Sequence, residues 1–545
     1  MTTARSDERT GPGTAGDPSP GHEPGPRIRE VAERELAAAV DGLLNRHAAV
    51  GFAVGIVRDG HLEGFAGRGF ADVTTRTPIT EDTVFRIASI SKTVTAIAVM
   101  QLSEAGLVDL DAPANDFLRA YRLVPVRADF RPPTLRHLLT HTAGIGEVIR
   151  PSDLLRPDWG DSIPLGAPMP TLAHFYRGAI PVDIEPGTTF TYTNHGLATA
   201  AQIVEDVSGV PFDRYLRERI FEPLGMVDTD IVRSDRLASR LAKAYALGPT
   251  GPRPVADREW VTAGASSIYS TIRDMSRYAA ALMGGGRNEH GSILRPDTLA
   301  AMFAPHFQPD RRMPGMGLGF DRNPSGGHLV VGHGGILPGI NSQLFVAPED
   351  GLGVIAFTTG ARLAMLWLPT ELGRLLNAEL GVPEAAIRTD LPQRPELWPE
   401  LCGWYRSPGR LLDVRARLMT GAGAQVFARG DRLALRLLTP VPGLLAGLPL
   451  WPDDADDPDA FRVDLGAFGL PTARIVFGRE EEGGVSAMHT DIFPVSLRRS
   501  APPTGAWSGL ARSVVTAAAV TSVVAAVRRR RERRRRRRAA GPAPA

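Results

Sequence analysis

The sequence predicts an α/β protein whose main sheet is built from strands at both ends of a long helical insertion, followed by a small antiparallel β domain. Three features predict it. Residues 51–60 and 61–72 form two β-rich runs joined at Asp59-Gly60, a hairpin turn signal. Strand-like apolar runs return only at 328–332, 341–347 and 352–358, separated by Gly, Pro and Asp-Gly, while the apolar spacing between is largely helical. After Pro392 the chain breaks into short apolar stretches (LLDVRAR, QVFARG, RLALRLL, FRVDL, RIVFGR) divided by Gly, Pro and Asp, the pattern of antiparallel strands.

Taken in order, residues 1–27 are rich in Gly, Pro, Thr and charge and lack an apolar run. They read as a disordered leader, without the apolar core of a signal peptide. Residues 28–47 place apolar side chains at helical spacing and form a first helix. The stretch from Ser89 to about Ala105 is apolar almost all round, which suits a buried helix. Further helices fall at 197–208, 211–220, 273–283 and 361–380. The α/β body therefore spans 28–385 and the small β domain 395–500. The acidic run 452–459 lacks the ligand spacing and closing Glu of a calcium loop and reads as a solvated turn.

Composition narrows the function. In 545 residues, 43% hydrophobic and 22% charged, the balance is that of a globular protein and excludes wholesale disorder or a multi-span membrane protein. A single cysteine, Cys402, excludes an internal disulfide framework and a Cys-rich zinc site. The formal net charge of +2 hides a strong asymmetry. Residues 508–527 read as a weakly apolar Ala/Val helix, and 528–545 as an Arg-rich tail. Without that tail the body is acidic. Of 62 basic residues only Lys92 and Lys243 are lysine. Arginine keeps its proton, whereas a buried lysine can release one, so both lysines draw attention.

Ser89-Ile90-Ser91-Lys92 puts a hydroxyl and an amine three residues apart, on one face of a helix start. A desolvated lysine there could activate the serine as a nucleophile, and the helix terminus favours developing negative charge. A helix-capping serine beside a surface lysine would give the same letters. Tyr192-Thr193-Asn194 lies in a Thr/Gly-rich turn just before a helix. The phenol could exchange protons and the Asn194 amide could meet a substrate carbonyl or amide, though a packed tyrosine with a helix cap reads the same way. His333-Gly334-Gly335 follows the 328–332 strand. Its glycines could let a substrate lie along the strand edge, or simply make a turn. His137 and His141 share i, i+4 spacing but have no evident third ligand. Ser91, Ser266 and Ser267 are hydroxyls with no lysine three positions on.

In this order, Ser-x-x-Lys, Tyr-x-Asn and His-x-Gly resemble the serine β-lactamase and penicillin-binding protein superfamily, above all its class C-like branch with the related esterases and D-aminopeptidases. FRIASISK, HLLTHTAGI, YTNHGLATAAQIVEDVSG, FEPLGM and GLGF add to the resemblance, which covers about residues 35–380. It implies a two-lobed fold, an α/β sandwich with a mainly antiparallel sheet beside an all-helical lobe, with the site between them. It implies that Ser89 forms an acyl-enzyme, that Lys92 and Tyr192 share the proton transfers, and that Asn194, His333 and Gly335 bind substrate. The oxyanion hole would be the backbone N–H groups of Ser89 and Ile336. No cofactor or metal is implied. His333 stands where true lactamases usually carry lysine, and Gly334 where they carry threonine. The expected substrates are therefore esters and D-amino-acid peptides or amides ahead of β-lactams. The 395–500 region weakly resembles the lipocalin-like domain of some members, a β-barrel.

Two further expectations concern partners. A protein that keeps this fold but turns nothing over, a penicillin-binding sensor, is the alternative to a hydrolase. The Arg-rich tail suits an anionic membrane surface better than nucleic acid, given the Ala/Val stretch beside it. With no signal peptide evident, the expected location is cytoplasmic, with membrane association through that tail.

Overall fold

A computed structural model describes residues 26–406, 423–439, 442–480, 483–491 and 495–502. Almost all of the expected leader, and the Ala/Val and Arg-rich segments, lie outside the described residues. Among the described residues no helix is long and apolar enough to cross a membrane.

The first helix, α1 (Pro26–Arg46), precedes the hairpin β1 (Gly51–Arg58) and β2 (His61–Asp72). Asp59 and Gly60 both take positive φ, 49° and 86°, the geometry of the tight turn that suits strand twist. β3 (Thr77–Pro78) follows at the edge, and β4 (Asp321–Arg322), β5 (Val331–Leu337), β6 (Ile340–Ala347) and β7 (Leu352–Thr359) arrive late in the chain. They assemble in the order β4-β5-β6-β7-β1-β2-β3, every pair antiparallel. The sheet thus joins the two ends of the body, as the sequence predicts. One boundary differs. The strand expected at 328–332 runs from 331 to 337, so His333, Gly334 and Gly335 lie inside a strand and not in a turn after it. Register with β6, which pairs His333 with Leu344 and Gly335 with Ser342, carries the strand through the glycines.

Side-chain alternation separates two cores. Phe52, Val54 and Ile56 of β1 face Leu36 and Val40 of α1 and Trp367 and Leu372 of the helix Ala364–Glu379. Ala53 and Val57 face the opposite way, into the large core shared with the helical lobe. At the centre of that lobe runs α2 (Ser91–Glu104), with Ser91 through Met100 all buried. It packs beside α3 (Asn194–Ser208), while α4 (Ile272–Met283) lies against the sheet. The helix expected at 211–220 is present as Phe212–Leu216 running into a wider turn at Arg217–Phe221.

Eight antiparallel strands between Gly403 and Ser500 close into a barrel, the first strand pairing with the last. Its interior is apolar, with Tyr405, Val426, Leu450, Phe461 and Phe477 buried together. The body reaches it through residues 310–313. Arg312 bonds Asp310, Asp457 and the Phe477 carbonyl, and Met313 packs on Ala460 and Val476. The acidic run 452–459 is engaged by arginines, Asp453 with Arg462 and Arg474, and Asp459 with Arg479.

Candidate active site

The chain enters α2 through a 3₁₀ turn, Ala88–Ile90. Ala88 takes φ 50°, a conformation that costs a non-glycine residue about 1 kcal/mol and that the surrounding bonds must hold. The Ile87 N–H donates to the Ile268 carbonyl at 3.0 Å, and Ser342 Oγ donates to the Ile87 carbonyl at 2.7 Å. This pinned turn presents Ser89 one residue ahead of the helix proper.

Lys92, in the first turn of α2, is completely buried, at 0% exposure. Its Nζ donates to Ser89 Oγ at 2.8 Å, to Asn194 Oδ1 at 2.9 Å and to the Ala265 carbonyl at 2.9 Å. Three acceptors match the three N–H bonds of an ammonium. Tyr192 Oη lies 2.8 Å from Ser89 Oγ, and Lys92 Nζ sits 4.9 Å from the centre of the Tyr192 ring. Tyr192 and Asn194 arrive together because Thr193 between them caps α3, its side chain accepting from the His195 N–H. Ser89, Lys92, Tyr192 and Asn194 thus form one connected group in space.

His333 approaches from β5. Its ring centre is 6.2 Å from that of Tyr192. Nδ1 donates to the Gly334 carbonyl at 2.6 Å, since a carbonyl can only accept, and this leaves Nε2 an acceptor buried without a hydrogen-bond partner. Burial holds the His333 pKa below the usual histidine value; Lys92 adds to this and Asp321 opposes it. The imidazole is therefore neutral at pH 7. Burial in turn raises Asp321, against the attraction of His333 and Lys92.

Gly335 has a second reason to be glycine. A Cβ there would lie 2.1 Å from Ser342 Oγ, 2.6 Å from the Ile87 carbonyl and 2.9 Å from the Ala88 methyl. Strand β5 can press against the Ser89 turn only without that methyl. Among the described residues no strand pairs with the outer side of β5 beyond Gly332, and Ile336 on that edge is 50% exposed.

His137 and His141 do not share a helix face. The helix Leu135–Leu139 ends before His141, which takes φ 57°. His137 Nδ1 accepts the Thr134 N–H, while the His141 ring packs 4.5 Å from that of Tyr192. His141 Nδ1 faces the Thr193 N–H at 3.4 Å, and burial pushes its pKa well below the ordinary range, with Lys92 and His333 reinforcing. Ser91 Oγ is committed to the Ala88 carbonyl. Sequence reasoning missed three participants. His141 was visible only as half of a metal-like pair. The Ala265 carbonyl carries no sequence signal. Asp161, which accepts from Asn194 Nδ2 at 3.3 Å, lies in a segment without a motif.

The arrangement can hold a hydroxyl between an ammonium and a phenol at an open strand edge, which is the equipment for acyl transfer. The Beta-lactamase family profile matches residues 36–368. Penicillin-binding protein 4 of Amycolatopsis lactamdurans is 29% identical, over 68% of this chain and 96% of its own. A D-aminopeptidase of Cereibacter sphaeroides is 26% identical, over 76% of this chain and 72% of its own. The octameric penicillin-binding protein homologue from Pyrococcus abyssi shares the fold, with a TM-score of 0.53 at 22% identity, over 85% of this chain and 99% of that one.

Proposed function

The chain belongs to the beta-lactamase family of serine hydrolases, which work through an acyl-enzyme, and on that footing we propose that Ser89 is the nucleophile. The observation that carries this reading is that Ser89 Oγ has Lys92 Nζ and Tyr192 Oη each at 2.8 Å.

Lys92 Nζ and Tyr192 Oη both donate to Ser89 Oγ, which places the hydroxyl between the two groups that share its proton transfers. The Lys92–Tyr192 pair, with one of its two groups deprotonated, takes the Ser89 proton while Oγ bonds to the substrate carbonyl carbon. With both groups then protonated, the Lys92 ammonium stabilises the negative charge developing beside it. The N–H groups of Ser89 and Ile336 receive the carbonyl oxygen as it becomes anionic. When the carbonyl re-forms, Tyr192 passes the proton to the departing alcohol or amine. Water then repeats the sequence on the ester of Ser89, releasing acid and restoring the serine. Asn194 orients Lys92 and meets the acyl side.

The substrates in this reading are esters and D-amino-acid amides or peptides. The D-aminopeptidase relative supports the second class. The neutral His333, with Asp321 at its side, offers no fixed positive charge to a substrate carboxylate, which sets β-lactams last. The test is turnover of p-nitrophenyl esters, D-alanyl amides and nitrocefin after confirmation of labelling by a fluorophosphonate. Stable labelling without turnover would favour a sensor.

We further propose a cytoplasmic protein whose segment 508–545 rests on an anionic membrane surface. The density of arginine there and the adjoining Ala/Val run support it.

A further inference from the structure

Residues 151–164 fold as two 3₁₀ turns and a short strand, Ser162–Pro164, which pairs with Arg258–Trp260. The Val261 N–H donates to the Asp161 carbonyl at 2.8 Å. These bonds set the Asp161 side chain against Asn194. Asp161 is 5% exposed, close to Asn194 at 5% and Ser89 at 7%, so it is withdrawn from water no more than the residues at the reacting centre.

Its hydrogen bonding is sparse. Oδ2 accepts one long bond, from Asn194 Nδ2 at 3.3 Å. Oδ1 is buried without a hydrogen bond. The basic side-chain nitrogen paired with it is His195 Nε2 at 3.7 Å, and that nitrogen is already 2.9 Å from the Glu147 carbonyl. Lys92 directs its three N–H bonds to Ser89, Asn194 and Ala265. Three other buried carboxylates are better served. Asp153 has Arg150, Asp230 has Arg217, and Asp274 accepts from Thr229 and the Asp228 N–H. A carboxylate so withdrawn and so thinly paired calls for a cation.

Asn194 fixes where that cation would stand. Its Oδ1 is held by Lys92, so Nδ2 and Asp161 form a neighbouring donor and acceptor on the far side of the amide. An α-ammonium is two bonds from the carbonyl carbon under attack, so it travels with the acyl group that Asn194 meets. We propose that Asp161 is a specificity-determining residue that accepts the α-ammonium of the acyl donor. The substrate class is then α-amino acyl esters and amides with a free amine. This rests on the reading of Ser89 as the acylated residue.

The experiment compares D-alanine methyl ester with methyl D-lactate, its neutral hydroxyl counterpart, at pH 6.5, where the amine is charged. Rates are normalised to alkaline hydrolysis of each ester, and Ser89 labelling by a fluorophosphonate is followed in parallel. The wild type is expected to favour the ammonium ester at least tenfold in kcat/KM, and Asp161→Asn to cut that ratio at least tenfold. No preference in the wild type overturns the proposal without any variant. A ratio preserved in Asp161→Asn, including a parallel loss on both esters, also overturns it. In all these cases labelled Ser89 leaves the acyl-enzyme reading standing. Absence of labelling at Ser89 sinks both.

Discussion

Lys92 Nζ and Asn194 Oδ1 are 2.9 Å apart across a gap of 102 residues in the chain. That bond ties α2 to α3 and completes the set of acceptors that holds the buried ammonium. Lys92→Ala removes the charge beside the reacting oxygen and should lower kcat/KM for p-nitrophenyl acetate by about 10³-fold. Lys92→Arg should not rescue it, because a planar guanidinium cannot meet three acceptors arranged about one nitrogen and does not fit the buried space. Steady-state kinetics of the two variants check this.

Gly335 and Gly334 are neighbours with opposite tolerance. Ala at 335 meets backbone and the pinned Ser89 turn, whereas Ala at 334 meets only the end of the Gln343 side chain. Gly335→Ala should cost about 1–3 kcal/mol of stability and most of the esterase activity. Gly334→Ala should cost clearly less of both. Urea unfolding midpoints and ester hydrolysis rates distinguish the two.

The histidines behind Tyr192 predict a pH dependence. Burial holds the folded pKa of His141 below the ordinary value of 6.5, so on acidification the unfolded chain takes up the proton first. The contribution of His141 is fully present above pH 6.5 and is lost as pH falls through that value toward the lowered folded one. His333 acts in the same sense. Asp491, raised to about 6 by burial, acts in the opposite sense. Comparing the wild type with His141→Asn removes the shared groups, and asparagine tolerates the left-handed backbone at this position. Between pH 7.5 and 5 the urea midpoint of the wild type should fall further than that of the variant. Parallel curves would contradict the argument.

The sheet was readable in the sequence because β1 and β2 are β-rich runs on either side of an Asp-Gly turn, and β6 and β7 are apolar runs between glycines. The strand carrying His333 was misjudged at both ends. Glycines at 334 and 335 look like a turn in sequence, yet both lie in a strand and Gly335 serves its close approach to the Ser89 turn. Ser89, Lys92, Tyr192 and Asn194 were legible because each sits in a short pattern of reactive residue types. Asp161 and the Ala265 carbonyl were not, since their place at the site depends on how residues 151–164 and 262–267 pack. His141 was seen with the wrong partner, because its helix stops short of it.

The tail makes a separate prediction. Deleting residues 508–545 should leave esterase activity intact and move the protein from the membrane pellet to the soluble fraction. Unchanged fractionation would remove the anchoring proposal.

The most direct check of the whole account is the mass of the intact protein after reaction with a fluorophosphonate, followed by peptide mapping. The account predicts one added group, on Ser89, and none in Ser89→Ala. Modification at another residue, or equal labelling of Ser89→Ala, would contradict it.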